Sequence, residues 1–141
     1  MAEVVHVRQP AGKPYCGQSV LAMVLGLDLC AGIVRMEHAR STRTRELVDA
    51  LGDHALDTRL RLVNKTHLLD LPDPCVLKVR WKKGSHYVLR VGLTVHDPIM
   101  PRGLDVLYWA EWLATVGGRV TSYLRVRLAE GPPSIVVTPG A

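Results

Sequence analysis

Four residues of this sequence could act together on a carbonyl group: Gln9, Cys16, His86 and Asp97. A thiol is mostly protonated at neutral pH, whereas attack on an amide carbonyl requires the thiolate. Two devices supply it: the partial positive charge of a helix N-terminus, and an imidazole that takes the proton. Cys16 stands at the head of residues 17–27, GQSVLAMVLGL, an uncharged run that is apolar on nearly every side and reads as a buried central helix. The sulfur is therefore expected beside backbone N–H groups that have no partner within the helix, with Gly17 leaving the surface next to it open. The second device follows from strand register. If residues 91 and 92 form the loop of a two-residue hairpin, Arg90 opposes Leu93, Val88 opposes Val95, and His86 opposes Asp97. Directly opposed residues have Cβ atoms about 4.5–5.5 Å apart, close enough for a carboxylate to fix the imidazole tautomer and steady the imidazolium. The negative charge of a tetrahedral intermediate needs donors. The backbone N–H of Cys16 is one candidate and the side-chain amide of Gln9, seven residues upstream, is the other.

These side chains need elements to hold them. Pro10, Gly12 and Pro14 keep the approach to the helix irregular and extended. Residues 42–54 place Leu47, Val48 and Leu51 on one side and charges on the other, which predicts a surface helix ending near Gly52. The period then changes to two. Residues 58–63 alternate, and Cys75, Leu77, Val79 and Trp81 alternate with Val76, Lys78, Arg80 and Lys82, so both read as strands with one wet face. A turn at residues 83–85 leads into the hairpin of 86–91 and 93–97, followed by a loop with Pro98 and Pro101. Residues 108–116 predict a short amphipathic helix with Trp109 and Trp112 in the core, residues 119–128 close the sheet, and residues 130–141 form a loosely held tail. Helices first and an antiparallel sheet after them make an α+β architecture in a single domain over residues 1–141.

Composition sets the boundaries of function. With 48% apolar and 22% charged residues the chain has the balance of a globular protein rather than a disordered one. It contains neither an apolar run of membrane-spanning length nor an export signal at its start, so we expect no membrane span. Three widely spaced cysteines, Cys16, Cys30 and Cys75, suit neither a disulfide framework nor a CxxC zinc site, which predicts a cytoplasmic, reducing setting with no metal and no cofactor. Cys30 and Cys75 read as packing thiols. The net charge of +5 is spread along the chain, and the basic runs at residues 40–45 and 78–83 read as solvated faces rather than as a nucleic-acid site. An acidic stretch of a protein substrate is the other partner such runs could meet. Oligomeric state is not indicated by the sequence.

These residues also carry a family likeness. QPAGKPYCGQSVLAMVLG resembles the glutamine and CG-x-x-x-L-x-M-x-L opening of the papain-like peptidases that remove double-glycine leaders from bacteriocins. The segments THLLDLPDPCVLKV, SHYVLRV and VHDP resemble that family's substrate-lobe strand, histidine strand and Asp-Pro, in order over residues 9–128. The resemblance implies a papain-like fold, a peptide substrate cut after small residues such as Gly-Gly, and catalytic roles for Gln9, Cys16, His86 and Asp97. The chain departs from the family in having Tyr15 where an acidic residue usually precedes the cysteine, in one extra residue between Gln9 and Cys16, and in a shorter hairpin. No exporter follows the domain, so a free-standing enzyme is expected, with an isopeptidase acting on glycine-ended conjugates, or an inactive papain-like binding module, as the alternatives.

Overall fold

In the computed structural model, which describes residues 4–63, 67–82 and 84–130, the uncharged run forms helix α1 (Cys16–Leu25). It begins at the cysteine itself and ends where Gly26 turns into the left-handed region at φ 70°. Asp28 then caps a helix that the apolar period alone had not marked, α2 (Leu29–Met36), by accepting the Ala31 N–H at 2.8 Å. Helix α3 (Thr44–Leu51) buries Leu47 and Leu51 and runs into a 3-10 turn, Gly52–His54. Strands β1 (Arg61–Leu62), β2 (Cys75–Trp81), β3 (Gly84–Val91), β4 (Thr94–His96), β5 (Leu104–Asp105) and β6 (Arg119–Arg125) follow, with α4 (Val106–Thr115) between the last two. They make one antiparallel sheet in the order β1-β6-β2-β3-β4-β5. The expected α+β class holds, with the helix expected before the last strand in place and one amendment: β6 lies between β1 and β2 rather than at a margin.

The sheet is covered on both faces. Val76, Tyr87, Leu89 and Leu124 face one core with Leu21, Leu47 and Leu51 of the first helices, while Leu77, Val79, Val88 and Val95 face the other beneath Trp109 and Leu113 of α4. β2 is therefore buried on both sides over Cys75, Val76 and Leu77, and the expected wet face is confined to its far end, where Arg80 is exposed. Full burial of one such aliphatic side chain contributes about 1.5–3 kcal/mol, so the two layers clamp β2 and β3 firmly. Trp109 is fully buried as predicted, and Trp112 is half-buried. The strand expected at residues 58–63 shortens to Arg61–Leu62. Of the turn expected at 83–85, Gly84 and Ser85 belong to β3 and residue 83 lies outside the described residues, as does the tail from 131 to 141.

The hairpin register differs from the expectation by two residues. The observed pairs are Val91 with Thr94, Arg90 with Val95 and Leu89 with His96, so the loop is Gly92-Leu93 rather than 91–92. The cause is Gly92, which adopts φ 60°, a conformation a two-residue hairpin wants at its first loop position and one that glycine adopts without strain. Its N–H is anchored by the Asp73 carboxylate at 2.7 Å. A slip of two residues, unlike a slip of one, leaves every side chain on its original face. Continuing the register, Asp97 falls opposite Val88, and His86 becomes its diagonal neighbour on the same face.

Candidate active site

The hydrogen-bonding pattern of β3 explains where Cys16 comes to rest. Val91 and Thr94 close the hairpin, so the N–H groups of Leu89 and Tyr87 point toward the β4 side of the strand. β4 ends at His96, opposite Leu89, and the N–H of Tyr87 is left on an open sheet edge. The first turn of α1 overhangs that edge, and the sulfur of Cys16 is faced by the N–H groups of Tyr87, Gly17 and Cys16 itself. No side chain caps α1, and Tyr15 contributes only its carbonyl to Ser19 N–H at 2.9 Å. The helix therefore presents its first-turn donors to whatever occupies the site.

His86 leaves β3 on the α4 face and Cys16 arrives from the side of the first helices, and both line one cleft of about 430 Å³. Nε2 of His86 lies 3.2 Å from Oδ1 and 3.3 Å from Oδ2 of Asp97. The carboxylate is fully buried and takes two further donors, the indole N–H of Trp109 at 3.0 Å and the backbone N–H of Ile99 at 3.2 Å. With Nε2 turned to Asp97, the other ring nitrogen of His86, Nδ1, is buried and has no hydrogen-bond partner among the described residues. Trp81 covers the imidazole, ring centroids 5.1 Å apart and planes inclined by 49°, and shields the His86–Asp97 pair from water. Burial pushes the Cys16 thiol up, the nearby Asp97 charge adds to the rise, and the N–H groups of Tyr87 and Gly17 offset part of it. The resting sulfur thus favours the thiol, and forming the thiolate calls for a base. The group in the cleft able to serve is the unpartnered Nδ1.

Gln9 also lines the cleft. Its backbone N–H is held by the Pro98 carbonyl at 2.8 Å, beside Asp97, but its side-chain amide nitrogen donates to the Lys13 carbonyl within its own loop. Its Oε1 is buried without a partner among the described residues. The structure thus brings all four expected residues to one place and leaves the Gln9 amide turned aside. His96, next to Asp97 in sequence, turns away and stacks on His6 with centroids 5.3 Å apart. Cys30 is exposed and Cys75 is buried in the α4-side core, and burial pushes the Cys75 thiol up to about 12. Neither lines this cleft.

Three supporting residues were not singled out from the sequence. Trp109 was expected in the core but not as a donor to Asp97. Gln18, fully buried in α1, donates to the carbonyls of His38 at 3.1 Å and Arg40 at 2.8 Å and accepts from the Thr42 hydroxyl at 3.2 Å, which pins the loop forming one wall of the cleft. A lone amide inside an otherwise uncharged buried helix was the available signal. That loop lies so close that a Cβ on Gly17 would collide with the Thr42 side chain. Tyr87 forms the floor: burial pushes its phenol up, and its hydroxyl pairs with Thr44 Oγ1 at 2.7 Å.

A more apolar cavity of about 510 Å³ lies at the other end of α1, lined among others by Val4, Met23, Leu27 and Leu128, but it contains no nucleophile. Among the described residues no group of three or more His, Cys, Asp or Glu could hold a metal ion, and no single helix is long and apolar enough to cross a membrane. Comparison with protein-family profiles, with curated proteins and with solved structures yields no match.

Proposed function

We propose that this chain is a papain-like thiol peptidase in which Cys16 is the nucleophile, His86 the general base and acid, and Asp97 the group that orients His86. The observation that carries the reading is the buried, unpartnered Nδ1 of His86, in the same cleft as the helix-terminal sulfur of Cys16 and with the opposite ring nitrogen fixed by Asp97. Nδ1 takes the thiol proton, and the thiolate attacks the scissile carbonyl. The oxyanion is met by the N–H of Cys16 and by Gln9 once its amide leaves Lys13. The tetrahedral intermediate collapses with protonation of the leaving amine by His86, and water delivered to the thioester through the same imidazole releases the acid. Cleavage after small residues such as Gly-Gly is the substrate preference we assign, and the same machinery would serve an isopeptidase acting on a glycine-ended conjugate. Three free thiols suit a reducing compartment, and the cytoplasm is where we place the enzyme.

One observation favours a second reading, a binding module without turnover: Cys16 is pushed up rather than down in this arrangement. A peptide library with Gly-Gly and Gly-Ala ends separates the two. The peptidase cleaves members of it and loses all turnover in Cys16→Ala, whereas binding of members without cleavage by the native chain establishes the module and ends the enzymatic reading.

A further inference from the structure

The charged side chains lining the cleft, apart from the catalytic pair, are both cationic. They are Arg43, at the start of α3, and Lys78, on β2. The rest of the wall beside them is neutral: Ser41, Thr42, Thr44 and Ser85. Neighbouring cations have carboxylate partners. Arg40 forms a paired contact with Glu46, at 2.7 and 3.2 Å, and that pairing holds the Glu46 carboxyl down at about 2. Arg45 lies 3.9 Å from Asp49. Neither Arg43 nor Lys78 meets a carboxylate among the described residues.

Both cations line the cleft, and Tyr87 lies between the elements that carry them. Lys78 is the direct cross-strand partner of Tyr87, and its Nζ stands 5.9 Å from the centre of the Tyr87 ring. The Tyr87 hydroxyl at the other end of that ring bonds Thr44, the residue after Arg43. The Tyr87 backbone N–H faces the Cys16 sulfur. Lys78, Tyr87 and Arg43 thus make a positively charged floor that begins beside the nucleophile. Glu46, in the first turn of α3, accepts the Arg43 backbone N–H at 2.8 Å and offsets the helix dipole there, so the positive charge of the floor comes from the two side chains. A bound peptide with an acidic side chain over this floor would neutralise both cations, while a basic one would place like charges together.

We infer that the cleft selects peptides with an Asp or Glu close to the scissile bond, bound by Lys78 and Arg43. This rests on the peptidase reading for the meaning of the scissile position, but the recognition itself is a binding property and is tested without turnover. Fluorescent peptides that differ only as Asp/Asn or Glu/Gln at each of the positions flanking a Gly-Gly pair are titrated into Cys16→Ala protein, and the native enzyme is assayed with the same set. An acid at one or two positions should tighten binding roughly 5-fold per cation, the equivalent of about 1 kcal/mol each, as for ion pairs that remain partly solvated. The gain should fall with rising salt and be reduced stepwise by Lys78→Gln and Arg43→Gln. Equal affinity of acid and amide peptides at every position, or a gain that survives both substitutions, overturns the inference. Cleavage of the set without acid preference leaves the peptidase standing and removes only the charged floor; acid-dependent binding without cleavage does the reverse.

Discussion

Replacing Trp109 by Phe removes one of the donors that hold Asp97 and leaves the aromatic packing of α4 mostly intact. The carboxylate is fully buried and accepts from His86, from the Ile99 N–H and from the Trp109 indole at 3.0 Å. A hydrogen bond to a charged acceptor contributes about 1.5–3 kcal/mol, and the smaller ring adds about 1 kcal/mol of lost packing. A destabilisation of about 3 kcal/mol is therefore expected, which in a urea titration shifts the midpoint by more than about 1 M for a domain of this size. The bond is isolated from the packing by a double-mutant cycle with Asp97→Ala, which removes the acceptor, and the coupling energy should reach about 1.5 kcal/mol or more. Activity should respond as for a positioning residue: kcat falls by about tenfold, while KM stays near its native value, because Asp97 keeps two partners but its hold on the imidazole loosens. A coupling energy below about 0.5 kcal/mol would refute the claim that the indole and the carboxylate act as one unit.

Other expectations follow from the same arrangement. Gln18→Ala strips three hydrogen bonds from the loop over Gly17 and should cost about 2–3 kcal/mol in unfolding while raising KM, because a cleft wall loses its anchor. Gln9→Ala should lower kcat by about 100-fold with little change in stability if its amide meets the oxyanion; a loss under about fivefold would assign that charge to the backbone donors alone. His96 is held down to about 4, by burial first and by the neighbouring His6 second. Because its folded value lies below the ordinary 6.5, stability is fully present above pH 6.5 and is lost as pH falls from there through 4, by on the order of 2–3 kcal/mol in all. Thermal unfolding across that window should show the loss, and His96→Gln should flatten it.

The parts of the fold that were legible in the sequence are those where one period dominates. The uncharged run of α1, the alternation in β2 and the tryptophan helix α4 all sit within a few residues of where their patterns placed them. Helix α2 was not, because eight residues give barely two turns of period, although Asp28 was available as its cap. The hairpin register went wrong at a single glycine. Gly92 was given the second loop position, whereas its positive φ suits the first, and the error survived because a shift of two preserves the face of His86 and Asp97. That Gln9, Cys16, His86 and Asp97 would come together in one place was readable because their types are rare and their spacing is constrained by strand and helix. Their supports were not. Trp109, Gln18 and Trp81 reach the site through tertiary packing between elements far apart in the chain, and no local pattern encodes which buried donor finds which acceptor.

The measurement that bears most directly on the proposed pairing of Cys16 with His86 is the alkylation rate of each thiol by iodoacetamide, read by mass spectrometry between pH 5 and 9. Access alone would make the exposed Cys30 the fastest and the buried Cys75 the slowest, with Cys16 between them. A sulfur that gives its proton to His86 reverses the first two: Cys16 should outpace Cys30 by about tenfold or more near pH 6.5, where an ordinary thiol is only about 1% ionised, and should lose that lead in His86→Ala. If the three thiols instead rank by exposure, and His86→Ala leaves the rate at Cys16 unchanged, the imidazole does not serve the sulfur and the peptidase account is wrong.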